Sequence, residues 1–310
     1  MLRPSGEETT METTRLLSVG QALAEASDFL ARRGVRESRL EAEVLLARVM
    51  ATSRLSFYVR SEQPLTTDQE SLYQELLCRR AEGEPLAYLC GEKEFFSLTF
   101  EVNRSVLIPR PETEHVVEAA LEKLREIVSE GRKPTFLDVG TGSGAIAIAI
   151  LVHLPESCAI ASDISAAALD VARRNAQRHG VADRLTLIEG DLFGGFQGEV
   201  DAVVSNPPYV SEGERDILAP EVRNHEPHAA LFAGDDGLAV IRRLVNEAPH
   251  HLPPGRWMIL EIGYSKEGAV RKLFEADKRW TNLEIRNDLA GIPRVVVAQV
   301  RKGKNRSCEL

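Results

Sequence analysis

Two short stretches hold the residues best suited to chemistry. The first is Asn206-Pro207-Pro208-Tyr209. Two successive prolines remove two backbone donors and fix φ at about −65°. The carbonyls of Asn206 and Pro207 then stand as rigid acceptors, the Asn206 side-chain oxygen adds another, and the Tyr209 ring offers a flat face. Such a cradle suits a planar group bearing an NH2, either an amide or the exocyclic amine of a base. Asn-Pro and Pro-Pro also mark ordinary turns, so the tetrapeptide alone does not separate a site from a turn.

The second stretch is Asp138-Val139-Gly140-Thr141-Gly142-Ser143-Gly144. Its glycines permit a tight turn and bring backbone N–H groups to a ligand at a helix N-terminus. Asp163 follows the first glycine at roughly the 20-residue interval expected of an acid that binds ribose hydroxyls. Gly140, Thr141, Gly142, Ser143, Gly144 and Asp163 are therefore candidate cofactor contacts. Asp191 and Leu192, in Gly190-Asp191-Leu192-Phe193, join them as residues able to frame an adenine.

Two cofactor classes fit this stretch. Gly140, Gly142 and Ala145 satisfy the dinucleotide fingerprint G-x-G-x-x-A, which keeps a nicotinamide or flavin oxidoreductase open. Three features favour S-adenosylmethionine: the glycines alternate, Asp138 precedes them, and the Asn-Pro-Pro-Tyr cradle has no role in hydride transfer. The cradle suits methyl transfer to an amide or to a nucleic-acid base equally well.

The elements that must position these residues alternate in type. Strands are predicted over 135–139, 158–162, 185–189, 200–205 and 257–262, with helices from 145 to about 152 and over 166–177, 238–247 and 267–276. This alternation is the pattern of a doubly wound α/β sheet. In such sheets ligands bind beyond the carboxyl ends of the strands, which is where the glycine turn, Asp163 and the cradle all fall. The last strands, 281–286 and 294–300, are separated by Gly291-Ile292-Pro293, too little chain for a crossover, so they must be antiparallel. The expected fold is a Rossmann-like, class I S-adenosylmethionine-dependent methyltransferase: a seven-stranded, mostly parallel sheet whose last strand is antiparallel, preceded by a small helical domain.

That helical domain is assigned to residues 1–84. A polar leader runs to about residue 18, and Met11 is an alternative start. Ser18 is expected to cap a helix over 19–33 and Ser38 a helix over 39–50, where Leu40, Val44, Leu45 and Val49 recur at helical spacing. A third helix over 67–81 would bury Leu72, Leu76 and Leu77. Residues 85–111 read as a linker with a β-hairpin, in which 94–102 pairs with Val106-Leu107-Ile108 through Asn103-Arg104-Ser105. Residues 112–310 are expected to form the methyltransferase domain. Phe95, Phe96 and Arg110, the last held between two prolines, are candidates for a substrate wall. His115 reads as a surface residue. His225 and His228 flank Glu226 but lack a third partner, and read as loop structure.

Composition excludes several classes. A net charge of −9 weakens direct nucleic-acid binding, which usually needs a basic surface. The longest apolar run, 145–152, is far short of the ~18 residues of a membrane span. Cys78, Cys90, Cys158 and Cys308 show no metal-ligand spacing, so thiols in a reducing cytosol and no metal site are expected. The basic tail from Arg301 is expected to lack order.

Taken together, residues 85–98, 106–114, 138–144, 205–209 and 226–237 resemble the HemK-type release-factor glutamine methyltransferases. The Ile-Pro-Arg-Pro-Glu-Thr-Glu segment from Ile108 to Glu114 is the specific part, since Asn-Pro-Pro-Tyr is shared with adenine- and guanine-amino methyltransferases. Leu192 departs from relatives that carry an aromatic there. The resemblance covers nearly the whole chain. It implies that the substrate is the glutamine of the Gly-Gly-Gln motif of peptide-chain release factors, methylated on its side-chain amide nitrogen with S-adenosylhomocysteine as the second product. It also implies that Asn206, Pro207, Pro208 and Tyr209 hold that amide, with Phe95, Phe96 and Arg110 close by.

Overall fold

The structure is a computed structural model that describes residues 16–302. It divides into two compact units, the first ending at Cys90 and the second beginning at Gly91.

The first unit packs four helices: α1 (Val19–Arg32), α2 (Ser38–Val49), α3 (Thr67–Ala81) and α4 (Leu86–Cys90). Ser18 caps α1 and Thr66 caps α3, each in a reciprocal capping box with a glutamine three residues on. Ser38 is not a cap: it is the first residue of α2, Glu37 precedes it, and no side chain closes that end. The buried stripes are also displaced from the expected ones. On α3 they are Tyr73, Leu76 and Leu77, while Leu72 is exposed. Tyr73 takes the inner place because its hydroxyl, deep in the core, donates to the Ala42 carbonyl at 2.9 Å. On α2 the stripe is Ala42, Leu45 and Leu46, and Leu40 is exposed. The boundary expected at residue 84 falls six residues later. α4 carries Leu89 into the same core as Leu23, Leu45 and Leu77, which draws 85–90 into the helical unit.

The second unit opens with a two-stranded hairpin, β1 (Glu92–Phe95) and β2 (Leu98–Glu101). The expected pairing with 106–108 does not form. The chain reverses earlier, at Phe96 and Ser97, whose φ values of 50° and 60° make a turn with both central residues left-handed. Residues 102–110 run as irregular chain, with Val106 and Ile108 buried. α5 (Glu114–Ser129) then begins the alternation: β3 (Thr135–Val139), α6 (Ala145–His153), β4 (Cys158–Asp163), α7 (Ala166–Arg178), β5 (Leu185–Glu189), β6 (Ala202–Ser205), α8 (Pro220–His225), α9 (Ala239–Glu247), β7 (Trp257–Glu261), α10 (Glu267–Ala276), β8 (Trp280–Asn287) and β9 (Pro293–Val300).

The seven-stranded sheet has the order β5-β4-β3-β6-β7-β9-β8. Its strands are parallel except β9, which is antiparallel to both neighbours. Alternate residues face opposite layers. Phe136, Val204 and Ile259 pack with α5 and α6, whereas Leu137, Val203 and Met258 pack with α9 and α10. From Ala145 to Leu151 α6 is buried on all sides, which its unbroken apolar sequence requires. Among the described residues no helix is long and apolar enough to cross a membrane, and no group of three or more His, Cys, Asp or Glu is placed to hold a metal. Among the described residues no disulfide joins Cys78, Cys90 and Cys158 to one another. Met11, the leader up to residue 15 and Cys308 lie outside the described residues, as does the tail beyond Lys302.

Candidate active site

A cleft of about 460 Å³ opens at the carboxyl ends of β3, β4, β5 and β6, a size ordinary for a small-molecule site. Of the residues singled out from sequence, Gly140, Thr141, Gly142, Ser143, Asp163, Asp191, Leu192, Asn206 and Pro208 line it.

The glycine turn is pinned to β4, with the N–H groups of Gly140 and Thr141 donating to the Ser162 carbonyl at 2.8 and 3.0 Å. Gly142 has φ 56°, a conformation glycine adopts without strain, and its N–H donates to Asp163 Oδ2 at 2.9 Å. The other Asp163 oxygen accepts from Ser165 N–H at 2.9 Å. Each carboxylate oxygen keeps accepting capacity for ribose hydroxyls. A side chain added at Gly140 or Gly142 would meet nothing within 4 Å, so this stretch of backbone faces open space. Gly144 does not line the cleft. It precedes α6 and packs against Ile148 and Ala172.

Asp138 lies fully buried beneath the turn. Its Oδ2 accepts from the Thr141 hydroxyl at 2.7 Å and from Ala147 N–H at 3.2 Å, while Oδ1 has no partner. Burial pushes its pKa up to about 7; the two hydrogen bonds pull the other way, and nearby Asp163 adds to the rise. A carboxyl with an unpartnered oxygen beneath a glycine turn suits a ligand carrying positive charge. It is a poor floor for a dinucleotide pyrophosphate, whose like charge it would repel. The donor set therefore fits S-adenosylmethionine, a sulfonium with a ribose diol. Further along, the Asp191 carboxylate is held by Arg243 at 3.1 and 3.0 Å, and the Leu192 carbonyl accepts from the Ser162 hydroxyl at 2.8 Å.

The cradle leaves the end of β6. Asn206 Nδ2 donates to the Thr113 hydroxyl oxygen at 3.1 Å. That hydroxyl donates onward to Glu261 Oε2 at 2.6 Å. The Tyr209 hydroxyl donates to Glu261 Oε1 at 3.1 Å. Burial raises the pKa of both Glu261 and Tyr209. Pro207 is buried and Pro208 half-buried at the cleft wall. Tyr209 does not line the cleft. Its ring lies over Gly263, where a Cβ would approach its Cδ2 to 2.6 Å.

Three expected wall residues stand elsewhere. Phe95 is 1% exposed and packs edge-on to Phe100 in the core beneath α5 and α6. Phe96 occupies the hairpin turn, its N–H donating to Glu114 at 2.8 Å and its ring meeting His153 edge-on at 4.8 Å. The tight turn needed by so short a hairpin folds both rings inward. Arg110 is engaged by a carboxylate of the chain itself: it pairs with buried Glu226, which also accepts from Ile108 N–H at 3.2 Å. His228 contacts the Arg223 carbonyl at 3.1 Å, as a loop residue would.

Comparisons with known proteins identify the family. Residues 21–91 match a family model described as the PrmC N-terminal domain, and 115–224 match the methyltransferase small domain. A release factor glutamine methyltransferase of Rhodopirellula baltica is 39% identical over 284 residues, 91% of this chain and 96% of that one. One of Moorella thermoacetica is 42% identical over 287 residues, 92% and 100% of the two chains. The chain belongs to the release factor glutamine methyltransferase family. The fold is shared more widely. The catalytic domain of hMettl16, solved with MAT2A 3'UTR hairpin 6, aligns at TM-score 0.53 and 15% identity over 74% of this chain and 83% of that one. A methyltransferase of Pyrococcus furiosus aligns at 0.50 and 18% over 74% and 100%.

Sequence reasoning assigned no contact to Thr113, Glu226 or Glu261, which the structure places against Asn206, Arg110 and Tyr209 respectively. Thr113 sits inside the most specific segment but reads as part of a helix start. Glu261 is an acid at the end of a strand otherwise suited to a core, a signal of the same kind as Asp138.

Proposed function

We propose that the protein transfers the methyl group of S-adenosylmethionine to the side-chain amide nitrogen of the glutamine in the Gly-Gly-Gln loop of peptide-chain release factors. One observation carries the reading: at the mouth of the cofactor cleft, Asn206 gives its NH2 to Thr113 and so turns its oxygen away as an acceptor. A carboxamide nitrogen is a poor nucleophile because its lone pair is delocalised into the carbonyl. Acceptance of its two N–H bonds by Asn206 Oδ1 and the Pro207 carbonyl orients that lone pair and stabilises the positive charge that builds on nitrogen. When bound, S-adenosylmethionine supplies an electrophilic sulfonium methyl. The chain contributes proximity and orientation, which carry a large share of such a barrier. Tyr209 braces the cradle from behind, and the acidic product nitrogen loses its proton to solvent without a dedicated base.

Gly140, Thr141, Gly142, Ser143, Asp163, Asp191 and Leu192 are proposed to hold the cofactor, with Gly144 shaping the turn. The helical unit ending at Cys90 is proposed to recognise the release factor, and the cytosol is the compartment where that partner is met. Methylation of a nucleic-acid base would use the same cradle, but a net charge of −9 gives no support for a polyanion.

The test is mass spectrometry of release factor incubated with the protein and S-adenosylmethionine, alongside Asn206→Ala. One added methyl on the Gly-Gly-Gln peptide, lost in the variant while cofactor binding persists, is expected. Transfer to RNA or DNA instead, or full activity in Asn206→Ala, would overturn the reading.

A further inference from the structure

The carboxamide of Asn206 is chemically reversible: rotated by half a turn, it would offer NH2 instead of oxygen to the substrate. Two NH2 groups would then face one another, and the cradle would repel the group it has to hold. Something must fix the direction, and the atoms behind Asn206 form a chain with a defined polarity. We propose that Glu261 is a positioning residue for methyl transfer, whose carboxylate orders the hydroxyl proton of Thr113 and thereby holds the Asn206 oxygen towards the acceptor nitrogen. The inference rests on the cradle reading above.

An ionised carboxylate is acceptor-only. In that ionised form Glu261 Oε2, 2.6 Å from Thr113 Oγ1, receives the threonine proton. With its proton committed, Thr113 can only accept from Asn206, at 3.1 Å, so the NH2 of Asn206 faces Thr113 and its oxygen faces the cleft. Tyr209 donates to the other carboxylate oxygen at 3.1 Å, which ties the last residue of the cradle to the same anchor. Glu261 is 1% exposed and Thr113 4%, so water does not compete for these bonds. Protonation of Glu261 would let the carboxyl donate to Thr113, turn the threonine proton outward and favour the reversed carboxamide. Burial raises the Glu261 pKa; the bonds from Thr113 and Tyr209 and the charge of Arg294 pull it down, and Glu112 pushes it up. Activity should therefore fall as pH falls through that raised value.

The experiment compares full-length wild type with Glu261→Gln, Thr113→Val, Thr113→Ser and Asn206→Ala, reading kcat and KM on release factor, cofactor affinity by calorimetry, Tm and the pH profile. A glutamine at 261 can donate to Thr113 and loses the enforced direction. A 10- to 100-fold loss of kcat, on the order expected for a misplaced reacting group, is expected for Glu261→Gln and Thr113→Val, with KM and cofactor Kd changed by less than about threefold. Thr113→Ser should recover most of the rate, and the acid limb of the wild-type profile should vanish in Glu261→Gln. Unchanged kcat in Glu261→Gln, or a loss that follows Tm and is equal in Thr113→Val and Thr113→Ser, overturns the proposal. If Glu261→Gln does not fold, the two Thr113 variants decide. Inactive Asn206→Ala beside fully active Glu261→Gln would reject the role of Glu261 alone. Active Asn206→Ala would reject the cradle itself.

Discussion

Asp138→Asn should make the unliganded protein more stable and the liganded one worse, and the stability difference should depend on pH in a way the burial of Asp138 dictates. The folded-state pKa is about 7 against an ordinary value of 3.8. Because the folded value is raised, the folded state binds the extra proton. Stability is greatest below the unfolded value, declines as pH rises towards 7, and levels off above it. Between those two values each pH step of one costs about 1.4 kcal/mol, so the penalty accumulated between pH 4 and pH 8 is on the order of 4 kcal/mol. Asparagine has nearly the same shape and cannot ionise. Wild type and variant should therefore melt close together at pH 4, with the variant ahead by on the order of 10 °C at pH 8, given about 2–4 °C per kcal/mol for a unit of this size. Differential scanning calorimetry across pH 4–8 measures this directly. Calorimetric titration with S-adenosylmethionine at pH 8 should show affinity weakened by about tenfold or more, because the unpartnered Oδ1 is replaced by an NH2. A stability difference independent of pH, or cofactor binding equal to wild type, would refute the reasoning.

Other substitutions separate the roles assigned above. Gly263→Ala drives a methyl into the Tyr209 ring, and should lower kcat about 10- to 100-fold with cofactor Kd unchanged by calorimetry. Phe95→Ala empties a core position and should cost about 3–5 kcal/mol in urea unfolding, with KM for release factor unaltered at temperatures where the variant is folded. Thr66→Ala removes the cap of α3 and should cost about 1 kcal/mol, read as a lower melting temperature with unchanged specific activity.

The parts of the fold legible in the sequence were those governed by short-range pattern. Strands β3 to β5 follow from short, mostly apolar runs closed by Asp or Gly, and the antiparallel placement of β9 follows from a connection too short to cross the sheet. The glycine-turn side of the cleft was legible for the same reason, since glycine spacing and a strand-end acid are local signals. The side around Asn206 was not. Thr113, Asn206 and Glu261 come together from three distant segments, and no local pattern announces a contact between residues 113 and 261. Phe95 and Phe96 misled because an aromatic pair beside a proline-rich segment looks the same whether it faces a ligand or a core. The hairpin slipped because its turn uses Phe96 and Ser97 with positive φ, where glycine or asparagine is the usual marker.

The position of β9 has a bearing on how the molecule is made. Among the described residues β8 is paired only with β9, and β9 is what joins it to β7. During synthesis the chain through Asn287 can emerge with β8 unattached and with β7 presenting an open, apolar edge, a template for pairing with the wrong partner. Strand 293–300 has to enter between two elements already made, so the sheet closes last and from the inside. A ribosome that stalls before Pro293 would leave a product with the glycine turn and Asn-Pro-Pro-Tyr intact but Glu261 on an unprotected border. Such a fragment would be a substrate for proteolysis before it could act as an enzyme.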